Sequence, residues 1–276
     1  MGSGSFIEGY EVGFKPIDAS QYVPYNVTIG NKYQLYEKRK DSYSGTTIDN
    51  YNLRQPRGPI VIYEFEGCPF CRKVREAVSI LELTVEYRPC VQGPGSTYRR
   101  EIKEKYGPKA TFPFMKDPNT GIEMFESDDI IAYLFRAYGV SLAKPGNNGD
   151  VVIPSSLTGG VFTTLMTGLS LLFRFGKGST TKSSNPPAQP LILWTAEGTP
   201  FGKLVREELN ELQIAHVQIS CPRGGYNRQR MFELTGRFQI PYLQDPNNGV
   251  SLFESSAIIE YLQKVYGLKG TEVEYM

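Results

Sequence analysis

The sequence predicts an α/β protein built as two tandem units, each a mixed sheet flanked by helices. Two observations carry this reading. The chain repeats itself: Thr199 lies 131 residues after Cys68, and Cys221 lies 131 after Cys90. Farther along, Pro241 follows Pro113, Glu254-Ser255 follows Glu126-Ser127, and Tyr266-Gly267 follows Tyr138-Gly139, each at 128. Fixed offsets broken by a single three-residue indel mark a duplication. Within each copy the segments also come in the order strand, helix, strand, helix, strand, strand, helix, the pattern of a sheet with helices on both faces.

The composition allows this. At 276 residues the chain can hold two small cores, and 40% hydrophobic with 21% charged residues is ordinary for a globular protein. Thirty basic against 29 acidic side chains provide no excess of positive charge for displacing counterions, which argues against a nucleic-acid partner. Four cysteines are too few for a disulfide-stapled secreted scaffold, and two of them form a Cys-x-x-Cys pair, a usage that suits a reducing compartment. No secretory signal is recognisable at the start.

Taken in order, residues 1–58 are rich in Tyr, Pro, Asn, Gly and Ser, with a mixed-charge cluster from Glu37 to Asp41. No period persists there. The expectation is an extended N-terminal arm lying over the domains through its tyrosines, with a partner-binding tail as the alternative. The first domain spans 59–139. A strand at 59–65 leads to a helix over about 69–82, a strand at Thr84–Arg88 and a polar helix over Thr97–Tyr106. Phe112–Met115 and Ile122–Phe125 flank the turn Asp117–Gly121 and read as a hairpin. A helix then starts at Ser127, its expected cap, with Ile130, Ile131 and Leu134 on one face.

Residues 140–189 read as a linker carrying an amphipathic helix over 157–175. Leu157, Val161, Leu165, Leu169 and Leu172 oppose a polar stripe through Thr163, Thr167, Ser170 and Arg174. The apolar run is shorter than the roughly 20 residues of a membrane span. Packing against a domain is expected, with docking to a membrane surface or a partner as the alternative. Gly176–Gln189 reads as a flexible tether. Residues 190–276 form the second, degenerate domain, with Thr199 in the place of Cys68 and Gly202 in the place of Cys71.

Cys68 lies at a strand-to-helix junction, where the helix dipole and free backbone N–H groups stabilise a thiolate; Arg72, Lys73 and Arg75 add positive charge. Cys68 can attack a disulfide, and Cys71, one turn later, can resolve the mixed disulfide. A zinc site would need two more ligands from Cys90, Cys221 and His216, none paired at zinc-like spacing, so no metal is expected. Cys90 and Cys221 end equivalent strands as small buried residues, and His216 aligns with Val85 as a strand residue. A cis bond is expected at Phe112-Pro113, turning the Phe112 backbone toward Cys68, where it could pair with an extended peptide. The helix opened by Glu126-Ser127 suits a carboxylate, although simple capping explains the pair as well.

Together these residues resemble the glutathione-binding thioredoxin-like family. Cys68-Pro69-Phe70-Cys71 and Thr111-Phe112-Pro113 are similar to a glutaredoxin site, and Glu126-Ser127 with Ile130 is similar to the N-terminal domain of glutathione transferases. The resemblance covers 59–139 and 190–267. It implies two tandem thioredoxin-like domains without the all-helical domain of a transferase. It also implies a glutathione-linked thiol–disulfide oxidoreductase, with Cys68 as nucleophile and Cys71 as resolving thiol. Phe112 and Pro113 would hold the cysteinyl backbone of glutathione, and Glu126 and Ser127 its γ-glutamyl end. Thr199, Pro241, Glu254 and Ser255 are the second-domain equivalents. The implied substrate is a protein disulfide or a glutathionylated thiol. Tandem proteins of this kind occur in plastids, so the resemblance implies the stroma or the thylakoid periphery, and otherwise the cytoplasm. Two rival readings remain. One is a non-enzymatic scaffold docked to a thylakoid or other membrane complex through the N-terminal arm and the 157–175 helix. The other is an iron–sulfur carrier, which Pro69 and the resolving Cys71 make the weaker option.

Overall fold

The computed structural model describes residues 54–93, 95–139, 153–154, 157 and 177–268, together with the backbone of three strands nearer the N-terminus. Those strands are β1 (Tyr10–Pro16), β2 (Thr28–Ile29) and β3 (Tyr33–Arg39), in the order β1-β3-β2. β1 pairs antiparallel with β3, Tyr10 opposite Arg39 through Pro16 opposite Tyr33. The backbone here is therefore a small sheet and not the extended arm expected, because pairing satisfies N–H and C=O groups that an arm would leave to water. The tyrosine side chains of that region lie outside the described residues. So does the helix expected over 157–175, except for Leu157, which is buried in the first domain's core.

The first domain runs β4 (Ile60–Glu64), α1 (Pro69–Ile80), β5 (Thr84–Pro89), α2 (Thr97–Tyr106), β6 (Phe114–Asp117), β7 (Ile122–Met124) and α3 (Ser127–Tyr138). β4 pairs parallel with β5 and antiparallel with β6, which pairs antiparallel with β7. Alternation along β4 divides its side chains between two faces. Ile60 and Ile62 pack under α1 and α3 with Val74, Val78 and Leu134, whereas Tyr63 packs with Ile102 of α2 and Phe114. Pro69 occupies the first turn of α1, where its fixed φ suits a helix start and its missing N–H costs nothing. The hairpin turn is stapled to α3: Tyr133 and Tyr138 donate their hydroxyls to Asp117 at 2.6 and 2.5 Å. That staple ties the second half of α3 to the hairpin turn.

The second domain repeats the plan with β8 (Leu191–Thr195), α4 (Pro200–Glu211), β9 (His216–Ser220), α5 (Tyr226–Thr235), β10 (Tyr242–Asp245), β11 (Val250–Phe253) and α6 (Ser255–Tyr266). Its Asp245 accepts the hydroxyls of Tyr261 and Tyr266, the same staple. The structure is thus two tandem thioredoxin-like domains.

They join edge to edge. β5 pairs antiparallel with β9, Thr84 opposite Ile219 and Tyr87 opposite His216, giving one eight-stranded sheet in the order β11-β10-β8-β9-β5-β4-β6-β7. In this register Glu86 faces Val217, its own equivalent in the repeat, so a local two-fold axis passes between them. The pairing also removes the exposed edge each domain would have alone.

α1 and α4 meet over this seam, and the charges there obey the same symmetry. Arg75 Nε donates to Glu197 at 2.9 Å, and Arg206 Nε donates to Glu66 at 2.9 Å. Both arginine side chains are 1% exposed. Arg75 also pairs with Glu64, which has no counterpart in the second domain. The backbone N–H of Glu66 donates to Asn210 and that of Glu197 to Ser79, both at 3.1 Å, again equivalent pairs.

The described part of the expected tether is instead a strap. Gln92 exchanges backbone bonds with this segment (Gln92 N to Ser179 O, 2.9 Å; Thr181 N to Gln92 O, 3.2 Å), and Lys182 N donates to Glu211 O at 2.7 Å. Asn185 N reaches Tyr266 O and Leu268 N reaches Ser183 O, so the segment is fastened to both domains. Composition suggested flexibility, but tertiary hydrogen bonds hold this backbone in place.

Candidate functional site

β4 ends at Glu64, and the turn that follows delivers Cys68 as the N-cap of α1, with φ −83° and ψ 120°. Its sulfur accepts the backbone N–H of Cys71 at 3.2 Å and lies 3.7 Å from the carbonyl of Phe112, to which the thiol donates. The Phe112–Pro113 bond is cis, as expected. Hydrogen bonds from the Cys71 thiol and N–H lower the Cys68 pKa, against the opposing effect of burial. Burial pushes Cys71 well above the ordinary thiol range, and its bond to Cys68 adds to this. The two thiols are thereby set apart, Cys68 lowered and Cys71 holding its proton.

The positive charge expected from α1 is largely committed elsewhere. Arg75 is locked into the seam, Lys73 pairs with Asp128 at 2.5 Å, and Arg72 faces Glu76 and Glu197 at 3.7 and 3.9 Å. Hydrogen bonding at the helix start, more than the basic run, activates Cys68. Arg99 is a site residue that the sequence reading missed. It lies 4.8 Å over the Phe112 ring and 5.6 Å over Phe65, while its Nε donates to the carbonyls of Cys90 and Val91. It braces the loop that faces the thiol. Its repetition at Arg230, at the 131-residue offset, was the available signal.

α3 begins beside α1, tied by the Lys73–Asp128 pair. Its N-cap is Glu126, not Ser127, and it sits at φ 66° and ψ 118° with no side-chain cap bond. A non-glycine residue in this region costs of order 1–3 kcal/mol. Ser127 is the first helical residue and is buried. With no side-chain acceptor on them, the first-turn N–H groups are available to a carboxylate. Asp129 in the same turn, beside the Asp128 that pairs with Lys73, offers negative charge to an ammonium group. Such a pairing fits the α-amino-acid end of a γ-glutamyl peptide, and so the residues present fit glutathione.

The second domain keeps the frame. Thr199 caps α4 at φ −99° and ψ 123°, its hydroxyl accepting Gly202 N–H at 2.9 Å. The Ile240–Pro241 bond is cis, and Glu254 stands at φ 68° before Ser255. No acidic residue lies in the first turn of α6. β4 runs parallel to β5, β5 antiparallel to β9, and β9 parallel to β8, so the two sites lie at opposite ends of the sheet's strands. Thr199, Pro241, Glu254 and Ser255 therefore do not come near Cys68.

A Cβ added at Gly202 would stand 2.1 Å from Thr195 Oγ1 and 2.6 Å from Thr199 Oγ1. The second domain thus leaves no room for a side chain at the position that Cys71 holds in the first. Gly202→Cys is expected to destabilise the protein by about 1–3 kcal/mol through overpacking, and Thr195→Ala in the same chain to recover most of it. Denaturant titration of the single and double variants checks this, and equal loss in both would refute the clash.

Cys90 and Cys221 are buried with raised pKa values, chiefly from burial. Burial pushes His216 down to about 4, and it is a strand residue in the seam, as its alignment with Val85 implied. Among the described residues, no group of three or more His, Cys, Asp or Glu is placed to hold a metal ion.

Comparison with known proteins follows the same two segments. The model of the glutathione S-transferase N-terminal domain matches residues 62–145 and again 193–270. The chain belongs to the glutathione S-transferase N-terminal domain family. Its membership is double, with one match per domain, and it ties the chain to glutathione chemistry in general. A glutathione S-transferase-like protein, tpcF of Aspergillus fumigatus, is 32% identical over 81 residues, which are 29% of this chain and 36% of the relative. The chain thus aligns with little more than a third of that relative. The glutathione transferase BmGSTD1 of Bombyx mori is 27% identical over 44% of this chain and 53% of its own, with a TM-score of 0.29. A trimeric glutathione transferase of Leishmania, TDR1, is 13% identical over 77% and 69%, with a TM-score of 0.24. Scores this low carry no weight for the arrangement of the domains.

Proposed function

We propose that the chain is a glutathione-linked thiol–disulfide oxidoreductase whose first domain carries the chemistry. The observation that carries this reading is the split pair: Cys68 lowered at a helix start and facing the Phe112 carbonyl, Cys71 raised one turn behind it. Cys68 thiolate attacks one sulfur of a protein disulfide or glutathionylated thiol, releasing the other sulfur as a thiolate. Cys71 then attacks Cys68, closing the Cys68–Cys71 disulfide and freeing the remaining thiol, and an external thiol resets the pair. When bound, glutathione supplies the reducing sulfur. The Phe112 backbone and Pro113 line the cysteinyl position, and the start of α3 at Glu126 and Ser127 receives the γ-glutamyl carboxylate.

Cys68 is only 4% exposed, which favours a slim disulfide over a bulky electrophile. Phe70 beside it is 48% exposed, and its equivalent Phe201 is 58% exposed. An aromatic side chain held out at each site rim is a ready anchor for a protein substrate. The second domain, with the cradle but no thiol, is a binding-only copy in this reading.

The test is a pH titration of thiolate absorbance, with and without glutathione. The expected result is one thiol titrating below the ordinary value of about 8.5, which shifts when glutathione binds. That thiol is thiolate above its depressed pKa, so exchange should be retained at pH values where an ordinary thiol is already protonated. An ordinary value with no glutathione binding would remove the basis of the proposal.

A further inference from the structure

We infer that Asn210, on the domain without thiols, is a positioning residue for Cys68, an assignment that rests on the oxidoreductase reading. The second domain then has a task besides binding: it completes the reactive turn of the first. Between β4 and α1 the backbone N–H of Cys68 donates to the carbonyl of Phe65 at 3.0 Å, closing a turn with Glu66 and Gly67 at its corner. The sheet holds the near end of this turn, where Cys90 N donates to the carbonyl of Glu64 at 2.6 Å. The corner faces the other domain, and its partners come from there.

Two side chains of α4, four residues apart and so on one face of the helix, take the two polar ends of Glu66. Asn210 Oδ1 accepts the Glu66 backbone N–H at 3.1 Å, and Arg206 Nε donates to the Glu66 carboxylate at 2.9 Å. Asn210 is itself aimed. Its Nδ2 donates to the carbonyl of Arg206 at 2.9 Å, which turns Oδ1 to Glu66. Asn210 and Glu66 are both buried, so the bond is made away from water. The strap presses on the same residue: a Cβ on Gly178 would stand 3.2 Å from Glu66 Cβ, and Gly178 N donates to Glu211 of α4 at 2.7 Å.

Glu66 lies two residues before the nucleophile, whose sulfur has two contacts to keep. One is the Cys71 N–H at 3.2 Å on its own helix, the other the Phe112 carbonyl at 3.7 Å on a different loop. Gly67 gives the turn the freest backbone available, so local sequence does not hold the corner. A fixed acceptor at Glu66 N removes that freedom and sets the sulfur between its two partners.

The repeat contains its own control. In the second domain the equivalent N–H, that of Glu197, donates to Ser79 Oγ of α1 at 3.1 Å. Ser79 and Asn210 are 131 residues apart and occupy equivalent positions. Each domain thus holds the other's turn, but only one turn ends on a thiol. Loss of the bond at Asn210 should reach Cys68, whereas loss of the bond at Ser79 should weaken the seam and leave Cys68 as it was.

The experiment uses the full chain and iodoacetamide as probe, with mass analysis to read alkylation at Cys68 across pH and urea midpoints to read stability. Asn210→Leu removes the acceptor at similar volume. It should slow alkylation at pH 7 by about tenfold and move half-maximal reactivity to higher pH, because the Cys71 N–H bond that lowers the thiol is loosened. Asn210→Ser, with the hydroxyl that serves at position 79, should recover most of the rate. Ser79→Ala should lower the urea midpoint yet keep the Cys68 rate within about twofold of the parent. Asn210→Ala, easier to accommodate, carries the same test if the leucine variant does not fold. Alkylation unchanged by loss of the Asn210 acceptor, or slowed as much by Ser79→Ala, would overturn the assignment. Alkylation needs no disulfide exchange, so the two readings fail separately. A parent that alkylates at low pH but does not react with glutathione disulfide loses the oxidoreductase reading and keeps the positioning.

Discussion

Arg75→Ala should lower the unfolding free energy by about 3–5 kcal/mol, because removing one partner of a buried pair strands the other charges. Here the stranded charge is Glu64, whereas Glu197 keeps Arg206 at 2.9 Å. Urea denaturation followed through the fluorescence of Trp194, the single tryptophan, reads the loss from the second domain although the substitution is in the first. One cooperative transition, shifted as a whole, is expected, since both domains share a sheet. Arg206→Ala should behave similarly through Glu66. The double variant should fall short of the sum, because both arginines belong to one network. A loss below about 1 kcal/mol would mean that the seam is held by strand pairing and packing alone.

Cys68→Ser should reduce exchange with glutathione disulfide by at least about a thousandfold, since a serine hydroxyl cannot replace the thiolate. Cys71→Ser should behave differently. Capture by Cys68 proceeds, closure does not, and the mixed disulfide accumulates as a stable adduct in the mass spectrum. A Cys68→Ser protein that retains its exchange rate would end the enzymatic reading. The double-cradle scaffold would then be the better description, with Phe70 and Phe201 as its contacts.

Much of the site could be read from the sequence. The repeat offsets paired Cys68 with Thr199 and Pro113 with Pro241, and the strand-to-helix frame placed Cys68 at a cap. Residue type and local spacing suffice for such statements, because caps, X-Pro bonds and one-turn separations are decided within a few residues. The reading failed where a side chain had two uses. Arg75 was counted as local positive charge for the thiol, but its partners lie on another element and, for Glu197, 122 residues away. Residue type makes Ser127 the expected cap, whereas Glu126 holds the cap position at positive φ. The Gly/Ser/Pro composition of 177–189 suggested a tether, and hydrogen bonds to both domains made it a strap.

The sequence by itself determined that there are two copies of one α/β unit, that one copy carries a Cys-x-x-Cys pair, and that both keep the proline and the Glu-Ser start. These follow from periodicity and offset, which need no third dimension. Only the tertiary structure decided that the copies share one sheet about a local two-fold. The pairing of β5 with β9 and the exchange of Arg75 and Arg206 between domains are long-range choices, made where edge strands and buried charges find partners. The same seam gives the thiol pair its neighbours. Glu64, an unremarked residue in the sequence, becomes a buried partner of Arg75 in this seam.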